Sequence, residues 1–278
     1  MTYKTILVHC DASPTLSQRL DVAVELAQYF GAYLVGVHVQ APMKIPAFAG
    51  GVVPTFDLFA AYEACATAEH DGVAESFRHA IKGSRLATEW RHARGYPQDE
   101  LVMQARYADL LILGQTDSAG GTQTPADLPV TVAVSSGRAT LITPHIGVRT
   151  KPGKSVMLCW NASRESARAA TEALPFLVSA EKVVVLIVDT RRLGSARSLE
   201  PSAYVATWLT RHGVTVTVQR EVLANDDVGE LILSRAADND IDLIVMGLYG
   251  HSRLGEVILG GTSRTLLSSM TVPLLVAH

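Results

Sequence analysis

The chain alternates short, almost unbroken apolar runs with longer amphipathic stretches. In "YKTILVHCDASPTLSQRLDVAVELAQYFGAYLVGVHV" an apolar run ends in a polar turn at Asp11, a stretch with a period near 3.6 residues follows to Gly31, and a second apolar run covers 33–39. This order predicts a βαβ unit with parallel strands. Because nearly all-apolar strands are typical of sheets buried on both faces, the pattern predicts an α/β, doubly wound, Rossmann-like fold.

The same pattern returns in the second part of the chain. At 153–190, "GKSVMLCWNASRESARAATEALPFLVSAEKVVVLIVDT" again leads through a polar turn to a helix and a strand. Asp11 and Asn161 are 150 positions apart, and Gly114 and Gly247 are 133 apart. The chain is therefore predicted to hold two tandem five-stranded β-α-β-α-β-α-β-α-β domains, 1–147 and 153–278, with their boundary at "GVRTKPGK".

Several elements can be placed more closely. The first copy is about sixteen residues longer between its second and fourth strands, and we expect most of this excess in a loop at 41–57. The second copy is predicted to have its third strand at 214–221, a helix at 227–239 and its fourth strand at 241–247. The final strands of the two copies are expected to adjoin, so that the domains pair within one chain; these strands are 139–143 and 273–277. Whether two such chains form a homodimer is left open.

Composition narrows the class of protein. The net charge of −3 argues against nucleic-acid binding, and the longest apolar runs fall far short of the ~18 residues of a membrane span. The start "MTYKTILVHCD" does not read as a signal peptide. Cys10, Cys65 and Cys159 are scattered, which favours small core residues in a reducing compartment over a disulfide framework. A cytoplasmic protein is expected.

A glycine pattern follows the fourth strand of the second copy: Gly247-x-x-Gly250, nine residues, then Gly260-Gly261-Thr262. In doubly wound sheets ligands bind at the carboxyl ends of the strands, where glycines expose backbone N–H groups to an anion. The start of the helix near Thr262 would add unpaired donors. The spacing is neither a dinucleotide fingerprint nor a Walker loop. Glycines in such turns also have a purely structural interpretation, so these residues alone support an anion site only in part.

The glycine spacing, the opening "ILVHCDAS" and the closing "VPLLVAH" together resemble the universal stress protein family in its tandem-domain form. The resemblance implies five-stranded parallel α/β domains, similar to adenine nucleotide alpha hydrolases, that pair through their last strands. It also implies that ATP or a related adenine nucleotide binds, with or without Mg²⁺. The triphosphate would lie on the glycine loop, the ribose beside the residue after the first strand, and adenine at the end of the second strand. The nucleotide-binding set expected in the second copy is Asn161, Val188, Met246, Gly247, Gly250, His251, Arg253, Gly260, Gly261 and Thr262.

Two departures from the family pattern bear on activity. Gly261 stands where the family has Ser or Thr, although Thr262 follows. Asn161 replaces the usual aspartate after the first strand, and an amide attracts a divalent cation less than a carboxylate does. We therefore expect nucleotide binding to persist and hydrolysis to be weak at most.

The first copy carries different residues at the matching positions. Asp117 and Asp127 align with Gly250 and Gly260, and Leu128-Pro129 align with Gly261-Thr262. Two carboxylates would repel a phosphate, and proline removes a backbone donor. Although this copy keeps Asp11 and Ser13, one nucleotide per chain is expected, in the second domain.

Other constellations give weaker signals. No pair of histidines has the spacing of a known metal motif, and "AEHDG" at 68–72 and "EWRHARG" at 89–95 read as solvated faces or strand ends, so no metal site is expected. Ser13 and Ser163 lack the nucleophile elbow of hydrolases and are predicted to cap helices.

Four functions stay open. The first is a regulatory protein that binds an adenine nucleotide without catalysis, and the second is a slow ATP hydrolase, for which His251 is the one nearby candidate base. A third is an interaction module without nucleotide. The fourth, an apolar ligand site, depends on "IPAFAGGVVPTF" in the longer region.

Overall fold

In the computed structural model of the chain, the residues described are 2–43, 56–116, 127–148, 151–190, 200–223, 227–248, 250–253 and 256–278. They form an α/β fold whose sheet is dominated by parallel strands, as predicted. Within these residues no helix is long and apolar enough to cross a lipid bilayer.

Strands and helices alternate in both halves. The first half consists of β1 (Thr5–His9), α1 (Leu16–Phe30), β2 (Tyr33–Gln40), α2 (Phe56–Ile81), β3 (Thr88–Arg94), α3 (Pro97–Ala105), β4 (Leu110–Gly114), α4 (Leu128–Ser136) and β5 (Ala139–Thr143). The second half consists of β6 (Ser155–Cys159), α5 (Arg164–Glu172), α6 (Leu174–Ser179), β7 (Lys182–Thr190), α7 (Glu200–Arg211), β8 (Thr217–Leu223), α8 (Val228–Asp238), β9 (Leu243–Gly247), β10 (Gly250–Arg253), β11 (Glu256–Leu259), α9 (Gly261–Ser269) and β12 (Leu274–Ala277).

Ten strands form one sheet in the order β3-β2-β1-β4-β5-β12-β9-β6-β7-β8. Neighbours are parallel except β5 and β12, which pair antiparallel with Leu141 opposite Leu275. Each half therefore has the same internal order, and the two last strands lie side by side at the centre. Aromatic packing also joins the halves. The ring centroids of Tyr3 and Phe30 in the first half lie 5.7 and 5.3 Å, respectively, from the ring centroid of Phe176 in the second.

The two halves repeat their local contacts as well as their strand order. The carboxylate of Asp109 accepts hydrogen bonds from the backbone N–H groups of Lys4 and Thr5, at 2.7 and 2.9 Å. The carboxylate of Asp242, 133 positions later, accepts from Gly153, Lys154 and Ser155 at 2.8 to 3.1 Å. An acidic side chain thus fixes the start of the first strand of each half.

Both faces of the sheet are buried, which explains the unbroken apolar runs. Along β1, Ile6 and Val8 belong to one apolar cluster and Leu7 to another on the opposite face, and all three are at most 1% exposed. This burial leaves polar groups to gather at the strand ends.

Several predicted bounds are corrected. Helix α2 has 26 residues against 12 in α7, so much of the extra length lies in a helix. Phe56 and Asp57 begin that helix although a loop was predicted over 41–57, of which 44–55 lie outside the described residues. The predicted single helix after β6 is two, because α6 begins at Leu174 directly after α5, with Pro175 in its first turn. The third strand of the second half lies at Thr217–Leu223, shifted toward its carboxyl end from 214–221.

Candidate functional site

The candidate site lies at the edge of the sheet where the parallel strands end. In the second half β6 pairs with β7 on one side and β9 on the other, so strand order reverses at β6. Ligands of doubly wound sheets bind at such a reversal. Asn161 follows β6, Val188 lies near the end of β7, and Gly247 ends β9. Helix α9 leads into β12, which runs parallel to β9, so the helix begins at this same edge.

A compact turn links β6 to helix α5. The side-chain oxygen of Asn161 accepts a hydrogen bond from the Ser163 N–H at 3.0 Å, and Ala162 takes a positive φ of 59°. Ser163 is the N-cap of α5, because its Oγ accepts from the Ser166 N–H at 3.1 Å. The predicted cap is thus confirmed, and Ser163 already satisfies one donor at the start of α5.

Gly247 permits a close approach between strand β9 and helix α5. A Cβ at this position would lie 2.4 Å from the Glu165 carbonyl carbon and 2.5 Å from the Ser166 nitrogen. Because both atoms belong to backbone, no side chain other than hydrogen fits here. Packing therefore explains this glycine. Met246 beside it is 6% exposed and belongs to an apolar cluster.

The start of helix α9 has room for an added atom, whereas the space beside Gly247 is filled by backbone. Gly260 is the N-cap and offers no side-chain hydrogen bond, and a Cβ at Gly261 would have no atom within 4 Å. Gly261 is exposed and Thr262 is half-buried. The first N–H groups of a helix have no partner within it. These amides and the positive end of the helix dipole therefore lie next to an exposed glycine with room for a further atom.

Between Gly247 and Gly260, where a loop was expected, strands β10 and β11 pair with each other. Residues Gly250–Arg253 pair antiparallel with Glu256–Leu259, with His251 opposite Ile258. The backbone of Gly250, His251 and Arg253 is therefore part of a strand ladder, in which N–H groups pair across the hairpin.

Sequence reasoning missed one charged residue at this edge. Glu165, in the first turn of α5, is 6% exposed, and its carboxylate accepts a hydrogen bond from the Arg164 Nε at 2.6 Å. Burial acts to raise the pKa of Glu165, but hydrogen bonds from Arg164, its own backbone N–H and Ser163 outweigh it and lower the pKa. The group is a carboxylate at neutral pH that pairs with Arg164, and the backbone of the same residue packs against Gly247.

In the first half the same edge is filled by Arg19, which sequence reasoning also missed. Arg19 is 1% exposed and donates from Nη1 to the His9 carbonyl at 2.8 Å, and from Nη2 to Asp11 at 3.0 Å and Ser13 at 2.6 Å. In the sequence, the one sign of this buried role is that a charged residue falls on the apolar face of α1. Ser13 therefore binds Arg19 and is not the N-cap of α1, which is Thr15.

The electrostatics of this group are strongly perturbed. Burial alone would raise the pKa of Asp11, but the guanidinium of Arg19, with His9 and Ser13, holds it well below its ordinary value. Burial lowers the pKa of His9 to about 4, so this imidazole is neutral at neutral pH. Asp11 and Ser13 therefore already bind the Arg19 guanidinium of the same chain.

At the start of α4 the first half also differs from the second. Asp127 is the N-cap, without a side-chain cap bond, and Pro129 lies in the first turn. Asp117 lies outside the described residues. The first half therefore has a carboxylate and a proline where the second has Gly260 and Thr262.

Cysteines and histidines show further differences from expectation. Cys10 is buried and Cys159 half-buried, but Cys65 is exposed, so the prediction of a core residue is wrong for Cys65. Three histidines that have no motif spacing in sequence lie together in the first half: His38, His70 and His92. Because they belong to three separate elements, sequence spacing could not reveal them.

Comparisons with known proteins agree with this architecture. Residues 153–278 match the model of the Universal stress protein family. The universal stress protein Slr1230 of Synechocystis sp. is 39% identical over 46 residues, which span 16% of this chain and 16% of that relative. A universal stress protein from Archaeoglobus fulgidus DSM 4304 has a similar structure, with a TM-score of 0.74 and 16% identity, covering 98% of this chain and 95% of that one. A universal stress protein in complex with cAMP aligns with 51% of this chain and 98% of its own, at 24% identity and a TM-score of 0.39.

Residues 153–278 are therefore similar in sequence to the universal stress protein family. The chain as a whole has the fold of a solved member of that family.

Proposed function

We propose that this chain is a cytoplasmic stress-response protein that binds ATP or a related adenine nucleotide in its second domain and acts as a regulatory binding protein. The domains would be 1–147 and 153–278, paired through β5 and β12. The observation that carries the proposal is the uncapped start of α9, with Gly260 and Gly261 at the carboxyl edge beside the reversal of strand order. The similarity of residues 153–278 to the universal stress protein family supports the link to stress and to nucleotides.

The local chemistry favours α9 as the phosphate contact. Its first amides are unpaired within the helix, and a phosphate there would also gain from the helix dipole. At Gly247, by contrast, the backbone of Glu165 and Ser166 already occupies the space beside the glycine. We therefore assign the phosphates to Gly260, Gly261 and Thr262, and the ribose and adenine to Asn161 and Val188. His251 and Arg253 stay in the proposed set through their place on β10.

The first domain is proposed to bind no nucleotide. Arg19 occupies the space above Gly114, with its Nη2 2.6 Å from where a Cβ would lie. Asp11, the residue that aligns with Asn161, accepts a hydrogen bond from the same guanidinium. This arrangement supports a single site per chain.

The proposal can be tested with a charge placed at the proposed phosphate contact. Gly261→Asp puts a carboxylate at the start of α9, while Ser269→Asp puts the same charge on the exposed last residue of that helix. We expect ATP affinity, measured by calorimetry, to fall at least about 10-fold in Gly261→Asp and to change little in Ser269→Asp, because only the first charge faces the phosphates. Equal affinity in both variants contradicts the proposed site.

Two further measurements separate the alternatives. cAMP serves as a second probe of adenine-nucleotide selectivity. Phosphate release from ATP that is lost in His251→Ala favours the hydrolase, whereas binding without release favours the regulatory protein. Absence of any titratable nucleotide favours an interaction module.

A further inference from the structure

Three histidines meet between helix α2 and strands β2 and β3 of the first half. His38 lies on β2, His70 on α2 and His92 on β3, and one ring nitrogen of each lies within 4.8 Å of the others. His38 and His92 are register partners in the parallel pair β2–β3. The rings of His70 and His92 stack with centroids 4.1 Å apart.

This cluster is the middle of three layers, which are spaced seven residues apart on α2. On one side Phe77 packs against Trp90, with ring centroids 5.3 Å apart. On the other side the carboxylate of Glu63 lies 3.8 Å from the Arg94 guanidinium. Because positions seven apart share a helix face, His70 points to the sheet as its neighbours do. The layer between an aromatic pair and an ion pair consists of imidazoles.

Two of the rings each have a nitrogen atom that is available to bind a cation. His38 is 3% exposed, and its Nδ1 lies 2.9 Å from the Cys10 carbonyl oxygen. A carbonyl only accepts, so Nδ1 carries the hydrogen and Nε2 of the neutral ring presents a lone pair. Histidine ligands of metals are commonly oriented by such a bond from their other nitrogen. The Nδ1 of His70 is buried and has no hydrogen-bond partner among the described residues, which is costly unless a ligand fills it.

We propose that His38, His70 and His92 bind one divalent transition-metal ion of the zinc class. Three imidazole nitrogens suit Zn²⁺, with Zn–N distances of about 2.0–2.1 Å and a fourth position left to water. The ring nitrogens, which lie within 4.8 Å of one another, would approach further around the ion. Hard cations such as Mg²⁺ and Ca²⁺ prefer oxygen ligands and are disfavoured here.

At two of the three ligand positions, the described residues of the second half are not histidines. Tyr33 pairs with Thr5 and Lys182 with Ser155, so His38 on β2 corresponds to Ile187 on β7. Ile187 is opposite Arg220, where His38 is opposite His92. An aliphatic side chain and a cation cannot replace two imidazoles, and one ion per chain is expected.

Titration of the metal-free full-length chain with ZnCl₂ tests the inference. His70→Ala and His92→Ala each remove one ligand, and His79→Ala removes an exposed histidine of the same helix as a matched control. We expect one ion per chain in the wild type and in His79→Ala, and at least about 100-fold weaker binding in the other two, since even loss of an outer partner costs about 10–100-fold. Far-ultraviolet circular dichroism checks that each variant folds.

Cobalt gives a readout that needs no variant. Co²⁺ bound to the wild-type chain should show the visible absorption of a low-coordinate ion with nitrogen ligands, and Zn²⁺ should displace it. The inference is overturned if the wild type binds no Zn²⁺, or if His70→Ala and His92→Ala bind it as tightly as His79→Ala. Neither result depends on nucleotide binding by the second half.

Discussion

Arg19 and Gly114 close the ligand edge of the first half, because the guanidinium lies where a Cβ of Gly114 would be, at 2.6 Å from Nη2. In the second half Ala169 aligns with Arg19, and the matching glycine, Gly247, packs against the backbone of Glu165 instead. The first half therefore has a buried side chain at this edge that the second half lacks, and for this reason we propose a ligand in the second half only. This difference is the physical basis for expecting one nucleotide per chain.

Arg19→Ala should destabilise the protein by about 3–5 kcal/mol, because it leaves Asp11 as a nearly buried charge without its partner. Urea unfolding measures the change. Arg78→Ala, which removes an exposed ion pair with Glu75, is the control and should cost no more than about 1 kcal/mol. Equal losses of unfolding free energy in the two variants would show that the Arg19–Asp11 pair stabilises the protein no more than an exposed ion pair does.

Stability should fall as the pH is lowered from about 6.5 to 4 because of His9. In this range the unfolded chain binds a proton on His9 and the folded chain does not, since burial lowers the pKa of His9 to about 4. The sign therefore favours folding at higher pH, by about 3 kcal/mol over the whole range.

His9→Gln should flatten this slope, because glutamine does not titrate, and urea unfolding at pH 7, 6 and 5 checks it. Asp11 contributes in a separate range: its lowered pKa stabilises the folded state above about pH 4, and this contribution is lost on further acidification. An unchanged slope between pH 7 and 5 in His9→Gln would refute the assignment to His9.

Gly247→Ala and Gly261→Ala should have opposite effects on thermal stability. The new methyl group at 247 overlaps backbone atoms of α5 and should cost about 1–3 kcal/mol. At 261 it meets open space in the first turn of α9, so stability should stay the same or rise by up to about 1 kcal/mol. Melting temperatures that drop equally in both variants would contradict the difference in packing.

The periodicity of the chain was enough to predict most of the fold. Strands such as β1 and β9 carry residues buried on both faces, and this is why their apolar runs could be recognised and matched between the halves. The predicted ends of helices and strands were wrong where the hydrophobic pattern is weak. The third strand of the second half alternates exposed and half-buried residues at the outer edge of the sheet, and α2 is too long and alanine-rich to be separated from its preceding loop by composition.

The sequence was enough to place the candidate site in the fold, but not to tell which of its residues have space beside them. Glycines at a strand end indicate close approach, yet only coordinates separate Gly247, which faces backbone, from Gly261, which faces space. Arg19 was missed because a single cation on an apolar helix face gives no sign of its partners. The His38, His70 and His92 cluster was missed because strand register and a helix face bring it together, and neither depends on spacing along the chain.

The number of nucleotides bound per chain tests the central claim most directly. Calorimetric titration of the full-length wild-type chain with ATP should give a stoichiometry of one, assigned to the start of α9. Two equivalent sites would mean that Arg19 does not close the first half, and no site at all would mean that the open amides of α9 bind no phosphate.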